Sequence, residues 1–97
     1  RALTTDEVKR VIQDFASSAR RAMDAGFDGV ELMAANAFLF DQFLSSKLNT
    51  RTDRYGGSLP QRATFAAEIV AECRKQVGPD MPIILRFSQW KQQKRKE

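Results

Sequence analysis

The 97-residue chain has no histidine, a single cysteine, three prolines, one tryptophan and one tyrosine. Without histidine, and with Cys73 alone, it lacks the usual ligands for zinc or another transition metal, and no internal disulfide can form. No run approaches the roughly 18 apolar residues needed to cross a bilayer. A charged start followed by an apolar stretch and a small-residue cleavage site is also missing, so nothing marks a secretory leader. The chain is therefore expected to be cytosolic and to bind no metal. What it does have is the ordinary mixture of a folded globular chain, 42% apolar and 29% charged. Its length suits one small domain with a layer of helix on sheet.

The net charge of +4 invites a nucleic-acid reading, but the positions of the charges argue against it. Residues 88–97 hold four of the sixteen basic side chains (Lys91, Lys94, Arg95, Lys96) and one of the twelve acidic ones, Glu97. That leaves twelve basic and eleven acidic groups in residues 1–87, a nearly neutral body with no strong field for a phosphate backbone. The chain accordingly divides into an α/β unit over 1–90 and a solvated basic tail over 91–97.

Thr4 followed by Glu7 forms a capping box, and Leu3 and Val8 stand at the positions of a hydrophobic staple, so a helix starts near Thr5. Val8, Val11, Ile12, Phe15, Ala19, Ala22 and Met23 recur at helical steps and define its buried stripe. Gly26 stops it, and "FDGVELM" follows as a strand. "NAFLFDQFL", residues 36–44, is too apolar for a free loop; Phe38, Leu39, Phe43 and Leu44 predict a short buried helical turn. The polar stretch "SSKLNTRTDRYGGS" predicts an irregular connection that turns on its paired glycines. A second capping box, Ser58 with Gln61, opens a second helix that tolerates Pro60 in its first turn and runs to about Val77. Gly78-Pro79 ends it, and the continuous apolar run "MPIILRF" suits a strand buried on both faces.

The order is helix, strand, loop, helix, strand, and a strand joined to the next through a helix makes a parallel pair with a right-handed crossover. Two strands are too few for an independent parallel sheet, since the run 81–87 needs neighbours on its edges as well as helices on its faces. Association with other copies would close those edges, and a dimer is the cheapest solution.

The blocks "AGFDGVEL", "NAFLFDQFL", "N.RTDRYGGSL..R..F..EIV" and "ILRFS" occur in an order and spacing that resembles the old yellow enzyme family of FMN-dependent oxidoreductases. The resemblance spans residues 5–88, and "RTDRYGGS" at 51–58 is its most specific part. It implies a parent (β/α)8 TIM barrel, of which this chain would supply the third helix, fourth strand, fourth helix and fifth strand. A complete barrel takes about 250 residues, so the implied architecture is a partial one. The implied activity is hydride transfer from NAD(P)H through FMN to a small-molecule acceptor such as an activated alkene or nitro group.

Active sites of such barrels form at the carboxyl ends of the strands, which here fall near 33–38 and 86–89. By resemblance, Arg86 matches a guanidinium beside the flavin, where a fixed cation would stabilise negative charge at N1 and the C2 oxygen of the reduced ring. Its plainer alternative is a strand-end arginine paired with a carboxylate such as Glu31. Asn36 matches one of two donors that hold the acceptor's oxygen, with a turn-capping role as the alternative. The other donor position is Met33, whose thioether makes no strong hydrogen bond, and the matching proton-donating tyrosine is Phe38, which has no proton to give. Only Asn36 of that device is kept. Either the catalytic function is lost or altered, or the donors come from a different strand. The isolated chain is expected to be inactive and to hold little or no FMN, because the strands matching those that supply the rest of the flavin site are absent. The alternative is a non-catalytic module that self-associates.

Arg51, Asp53, Arg54 and Tyr55 resemble a phosphate grip, yet no Lys-Ser/Thr follows the glycines as in a P-loop. An internal ion pair of Asp53 with Arg62, fixing the loop onto the second helix, fits better. Cys73 on the apolar stripe of that helix is read as a core residue, because no histidine exists to activate it.

Overall fold

A computed structural model describes residues 2–34 and 39–87. The first helix, α1, spans Thr5–Asp24, and its capping box is complete: the Glu7 amide donates to Thr4 Oγ1 at 3.1 Å and the Thr4 amide to Glu7 Oε1 at 2.8 Å. At its far end the amides of Gly26 and Phe27 reach back to the carbonyls of Met23 and Ala22. This six-to-one closure needs the left-handed backbone that Gly26 adopts, with φ of 95°. The chain then enters strand β1, Val30–Ala34.

The apolar turn predicted after β1 is helix α2, Leu39–Leu44. Phe40 and Phe43 are its buried residues together with Asp41, while Leu39 and Leu44 are half-buried. Phe38 lies outside the described residues. After the loop, the single second helix expected from sequence is two pieces, α3 (Leu59–Arg62) and α4 (Thr64–Val77). The interruption falls at Ala63 because Pro60 opens the first turn and its carbonyl is taken by the Thr64 hydroxyl at 3.2 Å. The Ser58–Gln61 contact is present, with the Ser58 amide donating to Gln61 Oε1 at 3.0 Å. Strand β2, Ile83–Phe87, closes the unit and pairs in parallel with β1, Met33 opposite Arg86 and Ala34 opposite Phe87.

Helices α1 and α4 lie together on one face of this pair. Val8, Ile12, Ala16 and Ala19 of α1 meet Phe65, Ala66, Ile69, Cys73 and Val77 of α4, and Leu32 and Ala34 of β1 close the core from the sheet. Aromatic rings bind α2 to the same core: Phe43 stacks on Phe65 at 4.0 Å, and Phe40 meets both Phe65 and Phe15 edge-on. Each fully buried side chain of this size contributes about 1.5–3 kcal/mol through the apolar surface it hides.

Strand β2 corrects the expectation of burial on both faces. Ile84 and Phe87 are 56% and 63% exposed. Paired residues of parallel strands share a face, so Leu85 and Phe87 lie on the helix side with Leu32 and Ala34, and Ile84 and Arg86 lie on the open side with Glu31 and Met33. Among the described residues no second layer covers the open side and no strand pairs with the outer edge of β2. Among the described residues the helix layer sits over β1 and reaches β2 only at Ile83, leaving Ile84–Phe87 exposed. No described helix is long and apolar enough to cross a membrane.

Replacing Ile69, which has no exposed surface, by valine is expected to cost about 1 kcal/mol of stability. Gly56→Ala should cost about 2 kcal/mol, because its Cβ would stand 2.3 Å from the Arg51 carbonyl oxygen. Urea unfolding of both variants measures these differences.

Candidate functional site

Two regions carry polar chemistry. One is the loop that the motif "RTDRYGGS" forms between α2 and α3; the other is the carboxyl end of the strand pair.

In the loop, Asp53 is the centre. Arg51 donates to its carboxylate from Nε at 3.0 Å and from Nη2 at 2.6 Å, the Thr5 hydroxyl at 2.8 Å and the Tyr55 amide at 3.2 Å. The partner is thus Arg51, and the pairing expected with Arg62 is not made. Arg62 instead donates to the carbonyls of Leu44 at 2.9 Å and Gly57 at 2.7 Å. The reason is reach: Arg51 lies two residues from Asp53 and meets it with two parallel N–H bonds, while Arg62, at the end of α3, faces the carbonyls left free where α2 ends. The Arg51 guanidinium holds the Asp53 carboxyl well below the usual carboxylate range. Arg51 also donates from Nη1 to the Leu3 carbonyl at 2.6 Å, so this knot fastens the start of α1.

Asn49 ties the loop to α2, donating from Nδ2 to the carbonyls of Phe43 and Tyr55, both at 2.7 Å, and accepting from the Arg51 amide at 3.0 Å. Tyr55 is wholly buried and its hydroxyl donates to Glu68 Oε1 at 2.7 Å. Burial first, and then this carboxylate, push the phenol above its usual range. Arg54 pairs with Glu68 and lies over the Tyr55 ring. Every charged group in the block is committed to another group of the same chain, so the motif is a structural knot and not a grip on phosphate. Sequence reasoning did not single out Asn49, Phe40 or Ala16. The three-residue step from Phe40 to Phe43 was the available signal for Phe40, whereas nothing local distinguishes Asn49.

Cys73 is buried on α4 and desolvation raises its thiol above the usual range, the behaviour of an inert core thiol. A cavity of about 280 Å³ between α1 and α4 is lined by Lys9, Gln13, Arg54, Tyr55, Glu68 and Glu72 among others. Its acids are already paired, Glu68 with Arg54 and Glu72 with Lys75.

At the strand ends, Arg86 of β2 stands beside Met33 of β1 with 61% of its side chain exposed, and its Nε meets Glu31 Oε1. Asn36, two residues past the end of β1, and Ser88–Gln89, past β2, lie outside the described residues. The donor set fits a flavin in part: a cation placed at the end of a strand suits the negative charge of a reduced ring.

A parallel β-α-β unit with a helix packed beside its crossover helix and its polar face at the strand ends is a segment of a (β/α)8 barrel. The particular lineage follows from comparison with known proteins. The profile of the NADH:flavin oxidoreductase / NADH oxidase family matches residues 1–97, and the chain belongs to that family. It is 51% identical over 86 residues to a metal reductase of Desulforamulus reducens, covering 89% of this chain and 13% of that protein. It is 50% identical over 80 residues to 12-oxophytodienoate reductase 2 of Arabidopsis thaliana, covering 82% and 21%. The solved structure of morphinone reductase in complex with tetrahydroNAD superimposes with a TM-score of 0.81 at 48% identity, covering 88% of this chain and 24% of that one. The chain therefore spans less than a quarter of the length of each of these relatives.

The Asp53 knot has a pH signature. Because the carboxyl's folded-state pKa is depressed, the stabilisation is complete above the ordinary aspartate value of about 4 and declines as pH falls from there towards the folded-state value. Asp53→Asn should cost about 2 kcal/mol at neutral pH, and urea unfolding in increasingly acidic buffer should show that gap narrowing. A gap independent of pH would mean the charge of Asp53 does not hold the loop.

Proposed function

We propose that the chain is part of an FMN-dependent NAD(P)H:acceptor oxidoreductase of the ene-reductase type, and that it contributes Arg86 to the flavin site and Asn36 to the acceptor site. The observation that carries this reading is the placement of Arg86: a strongly exposed guanidinium on the open face, at the carboxyl end of β2 and one strand from Met33. A bound flavin would supply hydride from its N5. The chain's own part is electrostatic, with Arg86 placing a permanent positive charge where the reduced ring carries its negative one. Asn36, following β1, would hold the acceptor's oxygen through its side-chain amide. Met33 supplies no second donor, so polarisation of the acceptor from this strand rests on one group.

The isolated chain does not retain FMN in this reading, because a single cation and one amide leave most of a flavin's surface, including its phosphate, without contacts. The protein purified from cells should be colourless and should not oxidise NADPH or NADH with an enone acceptor. Flavin that co-purifies in stoichiometric amount, or turnover with that acceptor, would overturn the inactive reading.

A second reading is favoured by Ile84, Leu85 and Phe87, which β2 leaves exposed along an unpaired strand edge. Self-association would pair that edge and cover those side chains, and a dimer is the simplest closed form. Light scattering is expected to give twice the chain mass; a monodisperse monomer with a sharp thermal transition would remove this reading. A cytoplasmic location is proposed on the single, buried, unpaired Cys73. Binding of nucleic acid is not proposed, and the tail 91–97 that holds the excess positive charge lies outside the described residues.

A further inference from the structure

The open face of the strand pair presents four side chains, Glu31 and Met33 from β1 and Ile84 and Arg86 from β2. Glu31 precedes by two residues Met33, the register partner of Arg86, so the carboxylate approaches the guanidinium from the amino-terminal side of the strands and meets Nε. Both groups stand on strand backbone fixed by the ladder. The hydrogen bonds and ion pairs of the described residues give Arg86 no other partner.

An arginine side chain with most of its surface in solvent samples many rotamers, and a ligand that needs it in one of them must bear the cost of ordering it. A carboxylate on the neighbouring strand that engages Nε removes much of that freedom in advance. With Nε engaged by Glu31, the terminal nitrogens have no partner among the described residues, and a planar acceptor could meet two N–H groups at once. Among the described residues, Arg51–Asp53 and Arg54–Glu68 fasten the loop and Arg20–Asp24 and Lys75–Glu72 lie on the helices, whereas the Glu31–Arg86 pair faces the side that no described element covers.

We propose that Glu31 is a positioning residue, holding Arg86 from the adjacent strand so that the guanidinium is pre-set to receive a planar, electron-rich ligand of the flavin class at the carboxyl ends of β1 and β2. This rests on the reading of Arg86 as a flavin contact and adds the group that aligns it.

The test uses the Arg86 Nε–Hε signal in nitrogen-proton NMR of the full 97-residue chain, assigned by its loss in Arg86→Lys. FMN at millimolar concentration is the probe, since weak encounter is enough to move the signal. In the unsubstituted chain the Nε–H should exchange slowly with water and shift on addition of FMN. Glu31→Gln should speed that exchange by about threefold or more, the scale of a partly exposed ion pair, and should weaken the FMN response by a similar factor. Glu31→Asp should restore part of both. Glu72→Gln, which breaks the exposed pair with Lys75, should leave both unchanged and so separates the effect from a general loss of charge.

An equal or larger FMN response in Glu31→Gln would overturn the positioning role alone and show that Glu31 merely competes for the cation. Unchanged exchange in Glu31→Gln would also overturn it. No response to FMN in the unsubstituted chain would overturn the flavin contact of Arg86 and the positioning role with it. Isosteric replacement at Glu31, whose side chain is 38% exposed, leaves the core untouched, and an unchanged thermal transition verifies that the variant is folded.

Discussion

One layer of helix on a two-stranded sheet is the constraint from which the rest of this structure follows. The α1–α4 pair can hide one face of β1, and it does so with small residues, Ala16 and Ala19, that let the helices approach the large side chains Phe65 and Ile69. It cannot hide the second face, and it reaches the outer strand only at Ile83. Leu32 and Ala34 are therefore core while their register partners Leu85 and Phe87 are surface. The same limit leaves the Glu31–Arg86 pair on a face that no described element covers.

The loop "RTDRYGGS" compensates within the layer. A fourteen-residue connection without secondary structure of its own would ordinarily be mobile, yet this one carries its own knot. Asp53 collects donors from the loop and from Thr5 at the start of α1, Asn49 joins the loop to α2, and Tyr55 inserts beside Phe43 and Phe65. Two features of the sequence make the geometry possible: the absence of a side chain at Gly56, where the Arg51 carbonyl passes, and the adjacency of Arg51 to Asp53. A motif that seems chemical in sequence thus serves to keep α1, α2 and α4 in one packing arrangement.

Arg86, the proposed flavin contact, stands near the end of a strand and not in the loop rich in charge. Arg51 is enclosed at 15% exposure, whereas Arg54 and Arg86 are 55% and 61% exposed; Arg54 meets both Glu68 and Tyr55, while Arg86 meets Glu31 alone among the described residues. Density of charge in a sequence is a poor guide to a binding site when the charges can satisfy one another, and the position of a cation relative to a sheet is a better one.

Features that depend on near neighbours are readable from the residues alone. The capping box at Thr4, the stop at Gly26, the amphipathic stripe of α1, the break at Gly78 and the parallel crossover were all legible, because each is set by residues within a few positions or by the handedness of the chain. The Glu31–Arg86 pair was offered by the sequence only as the plainer alternative for Arg86, and it forms because the observed register sets both side chains on the same face. Features that depend on distant partners are set by the packed fold: that Asp53 turns to Arg51 and Thr5 and not to Arg62, that Asn49 is a junction, that the second helix divides at Ala63, and that β2 is exposed from Ile84 to Phe87. Hydrophobicity states what a side chain prefers, and burial states what the rest of the fold can cover. For "MPIILRF" those two differ, because its apolar character was matched to a larger sheet than two strands provide.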